Sequence, residues 1–148
     1  MEVAEETPQA VTQVTEPAEK PVLYWGLGRR KTSVARVRLM RGTGKFIVNH
    51  REAEDYFTDE RQVHTVRAPL KELKLANRYD VFVNATGGGM TGQAGAVLLG
   101  LARALVKAEP DSEPKLRELD MLTRDPRMKE RKKYGKKSAR ASFQFSKR

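Results

Sequence analysis

The sequence predicts one small domain that mixes strands with helices, set between an acidic leader and a basic tail. Three observations carry this reading. Residues 22–120 supply about 100 residues, enough for one modest core. Within them, segments alternating with a period of two are followed by segments whose apolar residues recur at three and four. Outside them the charge is lopsided: residues 1–20 hold five Glu and one Lys, and residues 121–148 hold eleven Lys and Arg against Asp125 and Glu130. The divisions are therefore an acidic extension over 1–21, a globular part over 22–120 and a cationic tail over 121–148.

Each element has its own signal. Residues 1–21 are rich in Glu, Thr, Ala and Pro, a composition too polar to bury a core, and read as a disordered leader. From Ser33 the chain alternates: Ser33, Ala35, Val37 and Leu39 fall on one side of a strand, Arg36 and Arg38 on the other. Arg41-Gly42-Thr43-Gly44 supplies turn residues and Lys45 to Asn49 returns as a strand, which predicts a hairpin. Asp59 is placed to cap a helix bearing Val63, Val66 and Leu70, interrupted by Pro69. Tyr79 to Ala85 reads as a strand, and Gln93 to Lys107 as a helix with Ala94, Val97, Leu98, Leu101 and Leu105 on one face, stopped by Pro110. Glu113 and Pro114 open a shorter helix carrying Leu116 and Leu119.

Composition excludes several classes. There is no cysteine, which removes disulfides, thiol catalysis and Cys-based zinc sites. The longest apolar run, Ala94 to Val106, is broken by Gly95, Gly100 and Arg103 and falls short of the ~20 residues a membrane span needs. The N-terminus has acids where a signal peptide has bases, so export is not expected, and Asn84-Ala85-Thr86 reads as a chance glycosylation match inside a buried segment.

Gly87-Gly88-Gly89-Met90-Thr91-Gly92 fits G-x-G-x-x-G between a strand and a helix, the setting of a dinucleotide site. That fold needs a second parallel strand after the helix, and Ala108 to Pro114 cannot be one. Two readings of the glycines stay open: a tight strand-to-helix turn, or amides at a helix N-terminus that hold a phosphate. Gly28-Arg29-Arg30-Lys31-Thr32-Ser33 lacks the ending of a P-loop. Its cations, with Arg36 and Arg38, lie in a stretch without any acid from Pro21 to His50, and together with the tail they point to a nucleic-acid face. His50 and His64 have no metal-ligand spacing, while Asp120, Asp125 and Glu130 sit among cations and read as ion-pair partners, so no catalysis, metal or cofactor is supported. The tail sets Tyr134, Phe143 and Phe145 among its charges; cations suit phosphates and aromatics suit unpaired bases, which favours RNA over DNA.

Three ordered strings carry a family resemblance. Gly28 to Val37 (GRRKTSVARV), Gly87 to Ala94 (GGGMTGQA) leading to Ala102-Arg103-Ala104-Leu105, and the terminal Leu122 to Arg127 (LTRDPR), Glu130 to Gly135 (ERKKYG) and Gln144 to Arg148 (QFSKR) resemble the bacterial family of the ninth protein of the small ribosomal subunit. The likeness covers roughly Tyr24 to Arg148, so the leader inherits no role from it. It implies an α+β fold: a mixed sheet with helices on one face, shared with the second domain of the fifth small-subunit protein. It further implies a non-enzymatic structural constituent of the cytoplasmic ribosome, bound to ribosomal RNA in the small-subunit head beside neighbouring head proteins.

On this resemblance the ribosomal RNA contacts fall to Arg29, Arg30, Lys31, Arg36, Arg38, Gly87, Gly88, Gly89, Gly92 and Gln93 of the body. In the tail they fall to Arg124, Arg127, Arg131, Lys132, Lys133, Tyr134, Lys136, Lys137 and Arg140. The tail is expected to thread through RNA so that Ser146, Lys147 and Arg148 approach peptidyl-site transfer RNA. Two rivals from other classes are a nucleotide-dependent enzyme using the glycine turn and a general basic module for DNA or acidic membrane.

Overall fold

The computed structural model describes residues 22–146; the leader, Lys147 and Arg148 lie outside the described residues. Five strands form one mixed sheet: β1 (Tyr24–Arg30), β2 (Ser33–Arg41), β3 (Phe46–Val48), β4 (Arg51–Glu52) and β5 (Tyr79–Thr86), in the order β1-β2-β5-β3-β4. Only β3 and β5 run parallel. The helices are α1 (Ala53–Tyr56), α2 (Glu60–Glu72), α3 (Met90–Ala108) and α4 (Glu113–Glu118), the last reached through a single 3₁₀ turn, Pro110–Ser112. The expected α+β fold is present.

Period-two alternation decides which side is covered. Ala35, Val37 and Leu39 of β2, Val81, Val83 and Ala85 of β5, and Phe46 and Val48 of β3 are all buried on one side, against α3 and the apolar stripe of α2, Val66 and Leu70. In β1 the inward positions are Gly26 and Gly28. A Cβ built on either would stand 1.9 Å from the carbonyl oxygen of Gly100 or Ala96, so backbone of β1 touches backbone of α3. Sandwiched between sheet and α2, α3 is buried over most of its circumference.

The hairpin expected between β2 and β3 does not form. β5 inserts between them, and the turn residues instead cross the end of β5, where the Asp80 carboxylate accepts the amides of Thr43, Gly44 and Lys45, each at 2.8 Å, while the Gly42 amide donates to Arg78 O. The real hairpin joins β1 to β2 around Lys31 and Thr32, with Tyr24 opposite Leu39 and Arg30 opposite Ser33. β1 escapes a hydrophobicity reading because two of its inward positions are glycine.

Asp59 caps α2 as expected, accepting the Arg61 amide at 3.0 Å. Pro69 does not interrupt α2: the helix runs on to Glu72 with Pro69 buried in its final turn. α3 starts at Met90, three residues before the expected Gln93, because Gly89 supplies the extended N-cap. In α4, Leu116 is buried but Leu119 is exposed. Asn84 and Thr86 of the sequon are exposed, with only Ala85 buried between them.

β1 is an edge strand whose outward carbonyls are not left bare. Arg103 donates to Leu27 O at 2.8 Å and Lys107 to Trp25 O at 2.7 Å, so α3 covers the edge with cations that disfavour pairing with another chain.

Candidate nucleic-acid interface

The side of the sheet turned away from the helices is open. Cross-strand register places Trp25, Arg38, Phe82 and Ile47 in one row, Leu27, Arg36 and Asn84 in the next, and Arg29, Val34 and Thr86 in a third. Arg29 and Arg36 are exposed and Arg38 half-buried, its guanidinium 5.8 Å from the Trp25 ring centre in a cation–π contact. Trp25 itself is 51% exposed and Leu27 also faces solvent. Asp80, which ends this face, is occupied by three backbone amides. Burial alone would raise its pKa; the amides of Lys45, Thr43 and Gly44 outweigh that and hold it below the usual carboxylate value.

At the Arg30 end of the hairpin several distant segments meet. Gly87 and Gly88 have positive φ (73° and 62°), and a Cβ on them would strike Thr32 O at 2.7 Å and Ser33 Oγ at 2.2 Å. Gly92 faces the same hydroxyl at 2.7 Å, whereas Gly89 has open space on that side. The glycine turn and the Lys31 turn are therefore pressed together, with Lys31 and Gly87 to Thr91 exposed beside the N-terminus of α3. Close packing against Thr32 and Ser33 leaves no room for a side chain at Gly87, Gly88 and Gly92. Gly89 remains free for close approach of a ligand.

A polar network fixes this corner from inside. Ser33 Oγ and Gln93 Nε2 both donate to Gly87 O, at 3.0 and 3.1 Å. Tyr56 OH donates to Gln93 Oε1 at 2.6 Å and accepts from Asn49 Nδ2 at 3.2 Å. Asn49 also closes both polar groups on the backbone of Ala85, at 2.8 and 2.9 Å. Gln93 is thus buried within this network. Sequence reasoning passed over Asn49, Tyr56 and Ser33, which act only once four elements converge.

Arg30 also departs from its neighbours. It lies on the helix side of the hairpin, donating to Thr91 O at 3.4 Å and to Asp125 Oδ2 at 3.1 Å, and so ties the root of the tail to the body. Met121 and Leu122 pack on the core, so the globular part extends slightly past residue 120. The Arg127 amide, and then the Arg30 guanidinium, hold the Asp125 pKa below its usual value.

From Leu119 to Ser146 there is no helix or strand. Arg124, Arg127, Arg131, Lys132, Lys136, Lys137 and Arg140 are exposed. Glu130 pairs with Lys133 and, at 2.9 Å, with Arg140, which closes a loop and lowers the Glu130 pKa, the Lys133 contact contributing most. Within this loop Tyr134 is 96% exposed next to Gly135, and Phe143, Phe145 and Ser146 face solvent farther on. Among the described residues no group of three His, Asp or Glu is placed to hold a metal, and no helix is long and apolar enough to cross a membrane.

A small α+β domain with a cationic open face, continued by a cationic extension that presents bare aromatic rings, is built as a polyanion-binding structural protein. The family model described as "Ribosomal protein S9/S16" matches residues 28–148. The chain is also similar to "Small ribosomal subunit protein uS9" of Picosynechococcus sp., 53% identical over 135 residues that cover 90% of this chain and 98% of that one. The chain belongs to the ribosomal protein S9/S16 family, in its bacterial small-subunit form. It is accordingly a non-enzymatic structural constituent of the small ribosomal subunit, associated there with ribosomal RNA and other subunit proteins.

Proposed function

We propose that the protein binds ribosomal RNA in the head of the small subunit through its open sheet face and the hairpin corner, and that its tail reaches the peptidyl-site transfer RNA. The observation that carries this is the convergence at one end of the molecule: Arg29, Lys31, the free edge of the glycine turn at Gly89 and the root of the tail at Asp125. A phosphate there meets cations, exposed amides at the start of α3 and a segment able to follow the backbone onward. Arg36 and Arg38 extend the path along the sheet, and Trp25 adds a ring on which a base can stack. Gln93 is left out of this contact set, and Arg30 is assigned to positioning the tail.

Beyond Asp125 the tail is stretched by like charges and acquires its final course only when phosphates surround it; ordering costs about 1 kcal/mol or more per residue, offset by many charge-assisted contacts. At its end Ser146, Lys147 and Arg148 serve the transfer RNA, Arg148 through a planar guanidinium that can grip a phosphate in bidentate fashion. The cytoplasmic ribosome is the expected setting, with neighbouring head proteins beside the domain.

Ribosomes carrying the chain without Ser146 to Arg148 test the tip. The expected result is unchanged subunit composition with weaker retention of peptidyl-site transfer RNA; unchanged retention removes the tip's role. Body docking is tested by Arg29→Gln with Arg36→Gln and Arg38→Gln, which lowers incorporation into subunits at high salt. Full incorporation of that triple variant overturns the sheet-face assignment.

A further inference from the structure

We infer that in the RNA-free protein the acidic leader lies along the open face of the sheet and screens it, leaving when RNA takes the face. The release rests on the RNA-binding reading above; the docking does not.

The face has charges to satisfy and apolar surface to cover. Arg29, Arg36 and Arg38 project from it, and the carboxylate of Asp80 is already committed to the turn amides. Trp25 and Leu27 on the edge strand, and Leu23 just before it, are exposed, and Leu23, Arg38, Met40 and Phe82 border a shallow hollow of about 270 Å³. An occupant that suits this surface is acidic with interspersed apolar residues. Residues 1–21 have that composition: Glu2, Glu5, Glu6, Glu16 and Glu19 against Lys20 alone, with Val11 and Val14 between the two acidic groups.

The attachment point favours the same occupant. The described chain begins at Val22, next to Leu23 on the rim of the hollow. Glu19 and Glu16 lie three and six residues before Val22, within roughly 10 and 20 Å of contour at ~3.5 Å per residue. Those lengths suffice to reach Arg38 and Arg36. The tail is the other cationic surface on offer, but its root is clamped at the Arg30 end of β1, the far end from Val22, and a longer loop costs more to close. A tethered segment acts at an effective concentration on the order of millimolar, so a few exposed ion pairs suffice to populate the contact yet yield to an RNA offering many phosphates.

Trp25 is the sole tryptophan and sits on the proposed contact, so acrylamide quenching of its fluorescence reports directly. The experiment uses the RNA-free full chain at low salt, compared with a chain carrying E2Q, E5Q, E6Q, E16Q and E19Q and with one lacking residues 2–20. Both variants are expected to show at least a two-fold larger quenching constant, and salt is expected to raise the wild-type value to theirs. Equal quenching of Trp25 in all three chains at low salt overturns the docking, and is the result if the leader sits on the tail or on nothing. In parallel, the variants are expected to bind a mixed-sequence single-stranded RNA several-fold more tightly at low salt. Tighter RNA binding without a change at Trp25 also overturns docking, since it marks long-range repulsion. A change at Trp25 without tighter RNA binding leaves the docking standing and overturns release, together with the RNA-binding assignment of this face.

Discussion

Asp80 holds the crossover between β2 and β3 with one carboxylate, and its effect on stability is legible at the level of single atoms. Three amides at 2.8 Å would otherwise lose their partner, so Asp80→Ala lowers stability by about 2 kcal/mol, within the range for hydrogen bonds to a charged group. Because its native pKa is depressed, the contribution is complete above the unfolded value and is lost as pH falls through the native one. Urea titrations of wild type and variant at neutral pH and in acid check both points: the gap between them narrows only in the acid range. Gly28 is constrained differently, since a methyl group there would overlap Ala96 O at 1.9 Å. Neither backbone can retreat without parting β1 from α3, so Gly28→Ala costs roughly 3 kcal/mol, the upper end for overpacking. Substitution of Gly89, where the added Cβ meets open space, leaves thermal unfolding almost unchanged.

Between elements, Tyr56 links the β3–β4 turn to α3 through Asn49 and Gln93, and its ring packs edge-on to Phe57. Tyr56→Phe retains the ring and removes the hydroxyl, leaving buried amide groups short of a partner. The expected loss is about 1–2 kcal/mol, with amide hydrogen exchange quickened at Gly87 to Gln93. The Arg30 to Asp125 pair joins tail to body, and both side chains are 29% exposed, so little global stability depends on it. Arg30→Gln therefore leaves the unfolding midpoint nearly in place while exchange at Thr123 to Arg127 rises. If the midpoint falls sharply instead, Arg30 has a structural role larger than positioning the tail.

For the whole molecule, net charge +10 is distributed so that the leader repels polyanions and the body and tail attract them. RNA affinity then falls with salt in proportion to the phosphates engaged. Replacing Arg36 and Arg38 together with Gln reduces the slope of log affinity against log salt by roughly 1.4–1.8, the share of two phosphates. Filter-binding titrations across salt concentrations measure that slope, and an unchanged slope places the contacts elsewhere.

Much of this was readable along the chain. Alternation at Ser33 to Leu39 and Tyr79 to Ala85, the Asp59 cap and the apolar face of α3 all appear where local chemistry put them, because burial of a face imposes its period on the residues. The cationic stretch Arg29 to Arg38 and the aromatic, cation-rich tail were equally plain, since charge and exposed rings are properties of composition. Pairing was not. Turn residues at Arg41 to Gly44 look the same whether they close a hairpin or cross the end of β5, and Asp80, 36 residues on from Gly44, makes that choice. β1 stayed hidden because its inward glycines matter only against α3. Tertiary contact likewise turned Gln93 inward, set Arg30 on Asp125 and drew Lys31 to the glycine turn. Local sequence determines period, caps and charge; which strand lies beside which, and which polar group finds a partner, depends on residues brought together across the chain.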